Sequence, residues 1–199
     1  MPIETEIKLH LPSGAPSTRR LLEQHGFRET SPRQLEVDQV YDLPSGELRL
    51  SARLLRLRHA GNVWTLTFKG PPSPGRHKSR EEIETTLADG TSFEAVLAGL
   101  GYVPTFRYEK YRTKFKLPVS ESGSGTSATD GLVTLDETPI GAYLELEGPA
   151  HWIDQTALGL GFPADAYITR SYAALYQEYQ QAHPDAPGNM TFLSPPRST

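Results

Sequence analysis

The 199-residue chain contains no cysteine. This absence excludes disulfide bridges, thiolate zinc sites, iron–sulfur clusters and cysteine nucleophiles. The chain also has no apolar run near the roughly 18 residues that a membrane-spanning helix needs. Its first residues, MPIETEIKLHL, carry two glutamates where a secretion signal would be basic and then apolar. We therefore expect a cytoplasmic protein that has no membrane partner.

An excess of basic residues is also lacking. Lys and Arg number 20 against 24 Asp and Glu, which gives a formal net charge of −4. DNA-binding domains usually carry a positive field, so we expect no nucleic-acid partner. The length is typical of one domain. We place that domain in residues 1–182, because residues 183–199 are rich in proline and have no hydrophobic period, which predicts a disordered tail.

Apolar and polar residues alternate with a period of two along several segments, which is the pattern of β-strands with one apolar face. The eight predicted strands are Pro2–Leu11, Gln34–Tyr41, Leu54–His59, Val63–Lys69, Ser79–Leu87, Phe106–Leu117, Leu132–Glu137 and Ala142–Glu147. Helical periodicity predicts helices at Ser17–Gly26, Ser92–Leu100, His151–Leu160 and Arg170–Ala182. The segments Leu43–Ser51, Gly70–Ser79 and Ser120–Gly131 are predicted to be turns or loops. The sequence thus predicts an α+β fold whose strands form a barrel or a sandwich.

The polar side of these strands is unusually rich in charge. Alternating strands commonly turn such a side to water. Here the amphipathic helices need an apolar surface to cover, and if they lie outside the sheet, the charged side faces inward. A charged interior is costly unless its charges are paired, hydrated or bound to a ligand. Basic side chains neutralise phosphate and carboxylates hold divalent metal, so this interior suits a polyanion bound together with a metal ion.

An ordered set of short motifs carries the charged residues. The motifs are ETEIK at 4–8, LRLR at 55–58, TFKG at 67–70, REEIE at 80–84, KYR at 110–112, LDET at 135–138, LELEG at 144–148 and ITRSY at 168–172. Together they resemble the CYTH superfamily, also called triphosphate tunnel metalloenzymes, over about Pro2–Tyr179. The resemblance implies an eight-stranded antiparallel closed β-barrel, shaped like a tunnel, with a charged interior and helices packed outside.

The resemblance also implies roles for individual residues. The metal carboxylates would be Glu4, Glu6, Glu145 and Glu147, supported by Glu82, Glu84 and Asp136, and the metal would be Mg²⁺ or Mn²⁺. The phosphate contacts would be Lys8, Arg56, Arg58, Lys69, Arg80, Lys110 and Arg112. Arg170 stands where members of the superfamily often carry a basic residue. We expect Glu4, Glu6, Lys8 and Arg58 to be the catalytic residues.

Three functions remain open at the level of sequence. We rank first a metal-dependent triphosphatase that removes the terminal phosphate of inorganic triphosphate or of an organic triphosphate such as thiamine triphosphate or a nucleotide. A class IV adenylate cyclase that makes cyclic AMP from ATP is the second reading, and a non-catalytic module that binds polyphosphate or nucleotides is the third. In each case the partner is a small molecule containing a triphosphate, and the protein is expected to be a monomer or a homodimer.

Overall fold

A computed structural model describes residues 2–118 and 131–192. It contains the eight predicted strands, and the largest differences are in the second and sixth, which begin six and three residues before the predicted bounds. The strands are β1 (Ile3–His10), β2 (Arg28–Asp42), β3 (Leu54–Ala60), β4 (Val63–Lys69), β5 (Lys78–Leu87), β6 (Val103–Lys116), β7 (Leu132–Thr138) and β8 (Gly141–Glu147). All pairings are antiparallel, and the order β1-β5-β4-β3-β2-β6-β7-β8 closes into a barrel. The predicted tunnel-like barrel is therefore confirmed.

Tight turns and long-range strand pairings close this barrel. Between β3 and β4, Ala60 faces Val63 across a two-residue turn. Gly61 has a φ of 58° there, a conformation that a glycine adopts without a steric penalty. The first strand pairs with β5 on one side and with β8 on the other, where Glu6 faces Glu147. Closure leaves the sheet without a free edge.

The helices lie outside the barrel and cover its apolar side, as predicted. They are α1 (Gly14–Gln24), α2 (Glu47–Leu50), α3 (Gly90–Gly99), α4 (Ala150–Gly159) and α5 (Tyr172–Ala182). Leu22 of α1 and Ile153 of α4 are fully buried against Ile7, Leu144 and other strand residues. Because successive side chains of a strand point to opposite faces, this packing turns the charged residues to the interior. No helix in the described part of the chain is long and apolar enough to cross a membrane.

The segment predicted as a turn before β3 contains the short helix α2. The carboxylate of Asp42 accepts hydrogen bonds from the backbone N–H groups of Leu43, Leu48 and Arg49 at 2.8, 2.9 and 3.0 Å. One buried side chain thus satisfies amide groups that the turn and the first residues of α2 would otherwise leave without partners. The segment lies at the end of the barrel where β2 finishes and β3 begins.

The helix α5 crosses the same end of the barrel, and its own Tyr172 and Tyr176 are buried on the side that faces the barrel. The chain then returns to β6, where Met190 is fully buried and exchanges backbone hydrogen bonds with Arg107 and Glu109. The prediction of a disordered tail is therefore wrong for residues 183–192, because Met190 gains an apolar contact and a strand partner. Residues 193–199, and the predicted loop Ser120–Gly131 except its last residue, lie outside the described residues.

Candidate active site

The barrel encloses a charged channel of about 530 Å³. Its wall contains every predicted site residue except Asp136 and Arg170. The acidic members are Glu4, Glu6, Glu82, Glu84, Glu145 and Glu147, and the basic members are Lys8, Arg56, Arg58, Lys69, Arg80, Lys110 and Arg112. The inward orientation of the charged side of the strands, which the sequence argument required, is confirmed by this wall.

One group of carboxylates shares a single lysine. The Nζ of Lys69 lies 2.6 Å from Glu4 and 3.1 Å from Glu82. Burial raises the pKa of Glu4 to about 7, and the negative charges of Glu6 and Glu82 add to the effect, while Lys69 opposes it. The pKa of Glu147 is also raised, first by burial and then by Glu4. Glu4 and Glu147 are therefore harder to ionise than carboxylates in water, an effect that a divalent cation beside them would oppose.

A second group is balanced by its cations. Lys8 lies 3.3 Å from Glu6 and 3.2 Å from Glu145, and Lys78 lies 3.0 Å from Glu6. Burial acts to raise the pKa of Glu6, but Lys8 and Lys78 outweigh it and hold that pKa far below the usual range. The pKa of Lys78 falls to about 8, because burial and the nearby charges of Lys8 and Arg80 disfavour its protonated form.

The arginines of β3 are held by acids on the neighbouring strand β2. Arg58 donates to Asp38 at 2.8 Å and lies 3.0 Å from Glu36. Arg56 lies 3.3 Å from Asp38 and donates to the hydroxyl of Tyr108, also at 3.3 Å. Both acids are buried, and nearby cations keep the pKa of each below its usual value against the effect of burial. These contacts fix the direction of the guanidinium groups before any anion enters.

Asp136 lies beneath the wall of the channel. Its carboxylate is fully buried and accepts hydrogen bonds from Lys110 at 2.9 Å, from Arg112 through two nitrogens at 2.6 Å each, and from the hydroxyl of Tyr172 at 2.7 Å. Arg112 also contacts Glu145. Asp136 therefore orients Lys110 and Arg112, and it does not itself line the channel.

Two other predicted residues are peripheral in this structure. The side chain of Glu84 is 51% exposed at the rim of the channel, where it accepts a hydrogen bond from Thr67 at 3.1 Å. Arg170 is half exposed and pairs with Glu178 on α5, so its guanidinium does not reach the channel wall. The neighbouring residues Ser171 and Tyr172 do line the channel.

Sequence reasoning missed three charged residues of the site. Glu36 and Asp38 occupy alternate positions of a predicted strand, so the same period of two could have placed them in the interior. Lys78 stands two residues before Arg80 on β5, within the segment Gly70–Ser79 that the sequence predicts as a loop. For Glu36 and Asp38 the available signal was parity within a predicted strand, and for Lys78 it was the same parity extended by one residue; none of the three has a matching motif.

The acidic group is suited to a hard divalent cation by its chemistry. Mg²⁺ and Mn²⁺ prefer carboxylate oxygens, and six carboxylates line the same channel. Within residues 2–118 and 131–192, no three acidic or histidine side chains converge closely enough to form a ready coordination cluster. Lys69 instead holds Glu4 and Glu82 together.

A closed antiparallel barrel whose interior carries ionised side chains of both signs is a tunnel-type fold. The sequence matches the CYTH domain over residues 2–157, and the chain therefore belongs to the CYTH family. No curated protein matches the sequence.

Solved structures share this fold at low sequence identity. An adenylate cyclase candidate from Vibrio parahaemolyticus is similar with a TM-score of 0.73 and 18% identity, over 88% of this chain and 98% of that one. The PH1819 protein of Pyrococcus horikoshii OT3 gives 0.69 and 23%, over 88% and 99%. The adenylyl cyclase candidate HpAC1 of Hippeastrum, described as having a dominant triphosphatase activity, gives 0.60 and 20%, over 88% and 96%. These identities indicate a common fold and leave the activity to be argued from the site.

Proposed function

We propose that the protein is a divalent-metal-dependent triphosphatase that hydrolyses the terminal phosphate of a triphosphate inside the channel. The observation that carries the proposal is the composition of the channel wall, which places seven predicted basic side chains and six carboxylates around one enclosed volume. Cations alone would suit a simple anion-binding site. Carboxylates among them add ligands for a metal ion and acceptors for a proton, both of which hydrolysis requires.

The basic side chains bind and orient the phosphates. Arg56 and Arg58 are held by Asp38, and Lys110 and Arg112 are held by Asp136, so their donors are fixed in direction before the substrate arrives. Donors of this kind stabilise the charge that develops on phosphate oxygens in the transition state without reorganising. Burial of these groups keeps water from competing for the same contacts.

The carboxylates face the same volume. Glu4, Glu6, Glu145 and Glu147 would hold the metal ion, with Glu82 beside them. When bound, the ion neutralises phosphate charge and lowers the pKa of a coordinated water. An Oε atom of this carboxylate group accepts the proton of the attacking water, and Lys8, which Glu6 and Glu145 hold protonated, stabilises the charge on the phosphate oxygens. No covalent intermediate on the protein is required.

A substrate panel tests the proposal. The protein is incubated with tripolyphosphate, ATP and thiamine triphosphate in Mg²⁺ or Mn²⁺, and all phosphorus products are identified. Release of orthophosphate supports the triphosphatase, whereas cyclic AMP and pyrophosphate from ATP would identify a cyclase. Binding without turnover of any substrate in either metal would contradict both enzymes and favour a binding module.

A pair of variants tests the assignment of the carboxylates. We expect Glu147→Ala to fold and to lose most of its turnover, because a ligand of the metal has been removed. Glu23→Ala removes an exposed glutamate of α1 and is the matched control, which should keep wild-type turnover. Wild-type activity in Glu147→Ala would refute the role given to that residue.

A further inference from the structure

The last described residues of the chain continue the sheet where β7 ends. On that side of β6, β7 pairs with residues 111–115, and nearer the start of β6 the partner is a C-terminal strap, residues 187–192. Met190 donates its N–H to the carbonyl of Arg107 at 3.0 Å and accepts a hydrogen bond from the N–H of Glu109 at 2.9 Å. The strap therefore supplies partners for backbone groups of β6 that β7 does not reach.

Hydrogen bonds attach the strap at two further points. The side-chain oxygen of Asn189 accepts from the backbone N–H of Arg107 at 2.9 Å. The carbonyl of Pro187 accepts from the hydroxyl of Tyr176 at 2.7 Å and from the side-chain amide of Gln180 at 2.9 Å. The first contact is with β6 and the other two are with α5, so the strap ties the helix and the strand to each other.

The side chain of Met190 packs in the same cluster as a tyrosine of the channel wall. Met190 and Tyr108 form a parallel bridge, so their side chains lie on the same face of the sheet. Both belong to one buried cluster with Tyr172 and Tyr176 of α5, and Met190 is fully buried in it. Tyr108 also lines the charged channel, whereas Met190 lies outside the channel wall. The strap thus supports a site residue from behind.

The hydroxyl of Tyr108 is one of two groups that orient Arg56 through hydrogen bonds. Nη1 of Arg56 donates to Tyr108 at 3.3 Å, and Nη2 donates to the hydroxyl of Thr67 at 3.0 Å. Its Nε lies 3.3 Å from Asp38 but forms no hydrogen bond with the residues described. The direction of this guanidinium therefore depends on where the ring of Tyr108 is held, because Asp38 supplies attraction without hydrogen-bond geometry.

We propose that Met190 is a positioning residue of the channel, which holds Tyr108 and through its hydroxyl directs Arg56 toward the phosphates. A donor that is already fixed in direction binds an anion without first being ordered. This inference rests on the proposed function for the identity of the ligand, and it adds a residue outside the channel to the binding machinery. The affinity of the channel for a triphosphate then depends on a segment that is not part of any barrel strand.

Calorimetric titration of the full chain with inorganic tripolyphosphate in EDTA measures binding without turnover. Met190→Ala should weaken binding about threefold to tenfold, because Tyr108 loses the packing that fixes its hydroxyl and the effect of one hydrogen bond is of this order. Met190→Leu keeps an apolar side chain of similar size and should bind within twofold of the wild type. If Met190→Ala does not fold, Asn189→Ala replaces it, since this exposed residue attaches the strap to Arg107.

A double-mutant cycle separates positioning from a general loss of stability. Tyr108→Phe keeps the ring and removes the hydroxyl, and in that background Met190→Ala should change the affinity by less than twofold. Leu160→Ala is the matched control, because Leu160 is buried in the separate apolar cluster beneath α1 and α4. It should lower the temperature of thermal unfolding and leave the affinity within twofold. Additive losses in the cycle, an equal loss of affinity in Leu160→Ala, or unchanged affinity in Met190→Ala would refute the positioning role.

The two proposals fail in different ways. If tripolyphosphate binds without being hydrolysed and Met190 and Tyr108 are coupled in the cycle, the proposed hydrolysis is wrong and the positioning role stands. If a triphosphate is hydrolysed and neither variant changes the affinity, the triphosphatase stands and the positioning role is wrong. If the wild type does not bind tripolyphosphate in EDTA, the imido analogue of tripolyphosphate is titrated in Mg²⁺, and absence of binding there as well would overturn the positioning role.

Discussion

Replacing Glu4 by Gln should make the ligand-free protein more stable at alkaline pH. Glu4 shares Lys69 with Glu82 and lies near other carboxylates, and burial together with these charges raises its pKa from 4.5 to about 7. Between these two pH values the folded protein binds more protons at Glu4 than the unfolded chain does. The free energy of unfolding that Glu4 contributes therefore falls as the pH rises through this window, and the full loss is present above about pH 7.

The size of the effect follows from the shift in pKa. One pKa unit corresponds to about 1.4 kcal/mol, so the rise at Glu4 sets a ceiling of roughly 3 kcal/mol for the stability lost on ionisation. Glutamine keeps the shape and cannot ionise, but it also removes one partner of Lys69, which retains Glu82 at 3.1 Å. We therefore expect Glu4→Gln to be about 1–2 kcal/mol more stable than the wild type at pH 8, with no gain near pH 4.5.

Urea unfolding at a series of pH values measures this difference. Glu6→Gln is the control, because Glu6 stands two residues away on the same strand and has a lowered pKa, held by Lys8 and Lys78 against the effect of burial. The free energy of unfolding of Glu6→Gln should be roughly 3 kcal/mol lower than that of the wild type at pH 8, since the buried Lys8 and Lys78 lose a partner. Equal destabilisation by both variants at pH 8, or a gain in Glu4→Gln that does not grow with pH, would refute the account of the acidic group.

Two further predictions concern the framework of the site. Asp136→Asn should lower the free energy of unfolding, measured in urea, by about 3–5 kcal/mol, because Lys110 and Arg112 lose a fully buried carboxylate. Asp185→Asn changes an exposed residue and should leave the free energy of unfolding unchanged. Similar values for the two variants would refute the role of Asp136. Gly90→Ala should be destabilising by about 1–3 kcal/mol, since an added Cβ would lie 2.0 Å from the Trp64 side chain. Gly99→Ala in the same helix meets nothing within 4 Å, so thermal unfolding should show no loss, and equal behaviour of the two glycines would contradict the packing.

The sequence was sufficient to predict the eight strands and their charged inner side, because that signal is local and repeated, whereas closure into a barrel followed from the resemblance to a known family. Each strand carries its own alternation, and only one orientation of the charged side leaves an apolar surface for the helices. The direction of Glu6 or Arg58 follows from that single choice. The pairing of β1 with both β5 and β8 did not follow from alternation, and it entered through the resemblance to a known family.

The parts of the site that escaped prediction depend on distances between strands. Glu36 and Asp38 matter because β2 lies beside β3 and brings them to Arg58, an adjacency that strand parity does not encode. Arg170 follows a family motif, yet Glu178, nearly two helix turns into α5, pairs with it. The composition of residues 183–199 predicts disorder because proline removes periodicity, whereas the buried Met190, its two backbone hydrogen bonds and the hydrogen bonds of Pro187 and Asn189 attach this segment to β6 and α5.

The double pairing of β1 has a consequence for how the protein reaches this structure. The partners of the first strand are β5 and β8, so its contacts join residues far apart in the chain. Such contacts slow folding, because a long stretch of chain must be ordered before they form. Until β1 inserts, β5 and β8 present unpaired edges that can associate with other molecules. Yield on refolding should therefore depend on protein concentration more steeply than folding rate does.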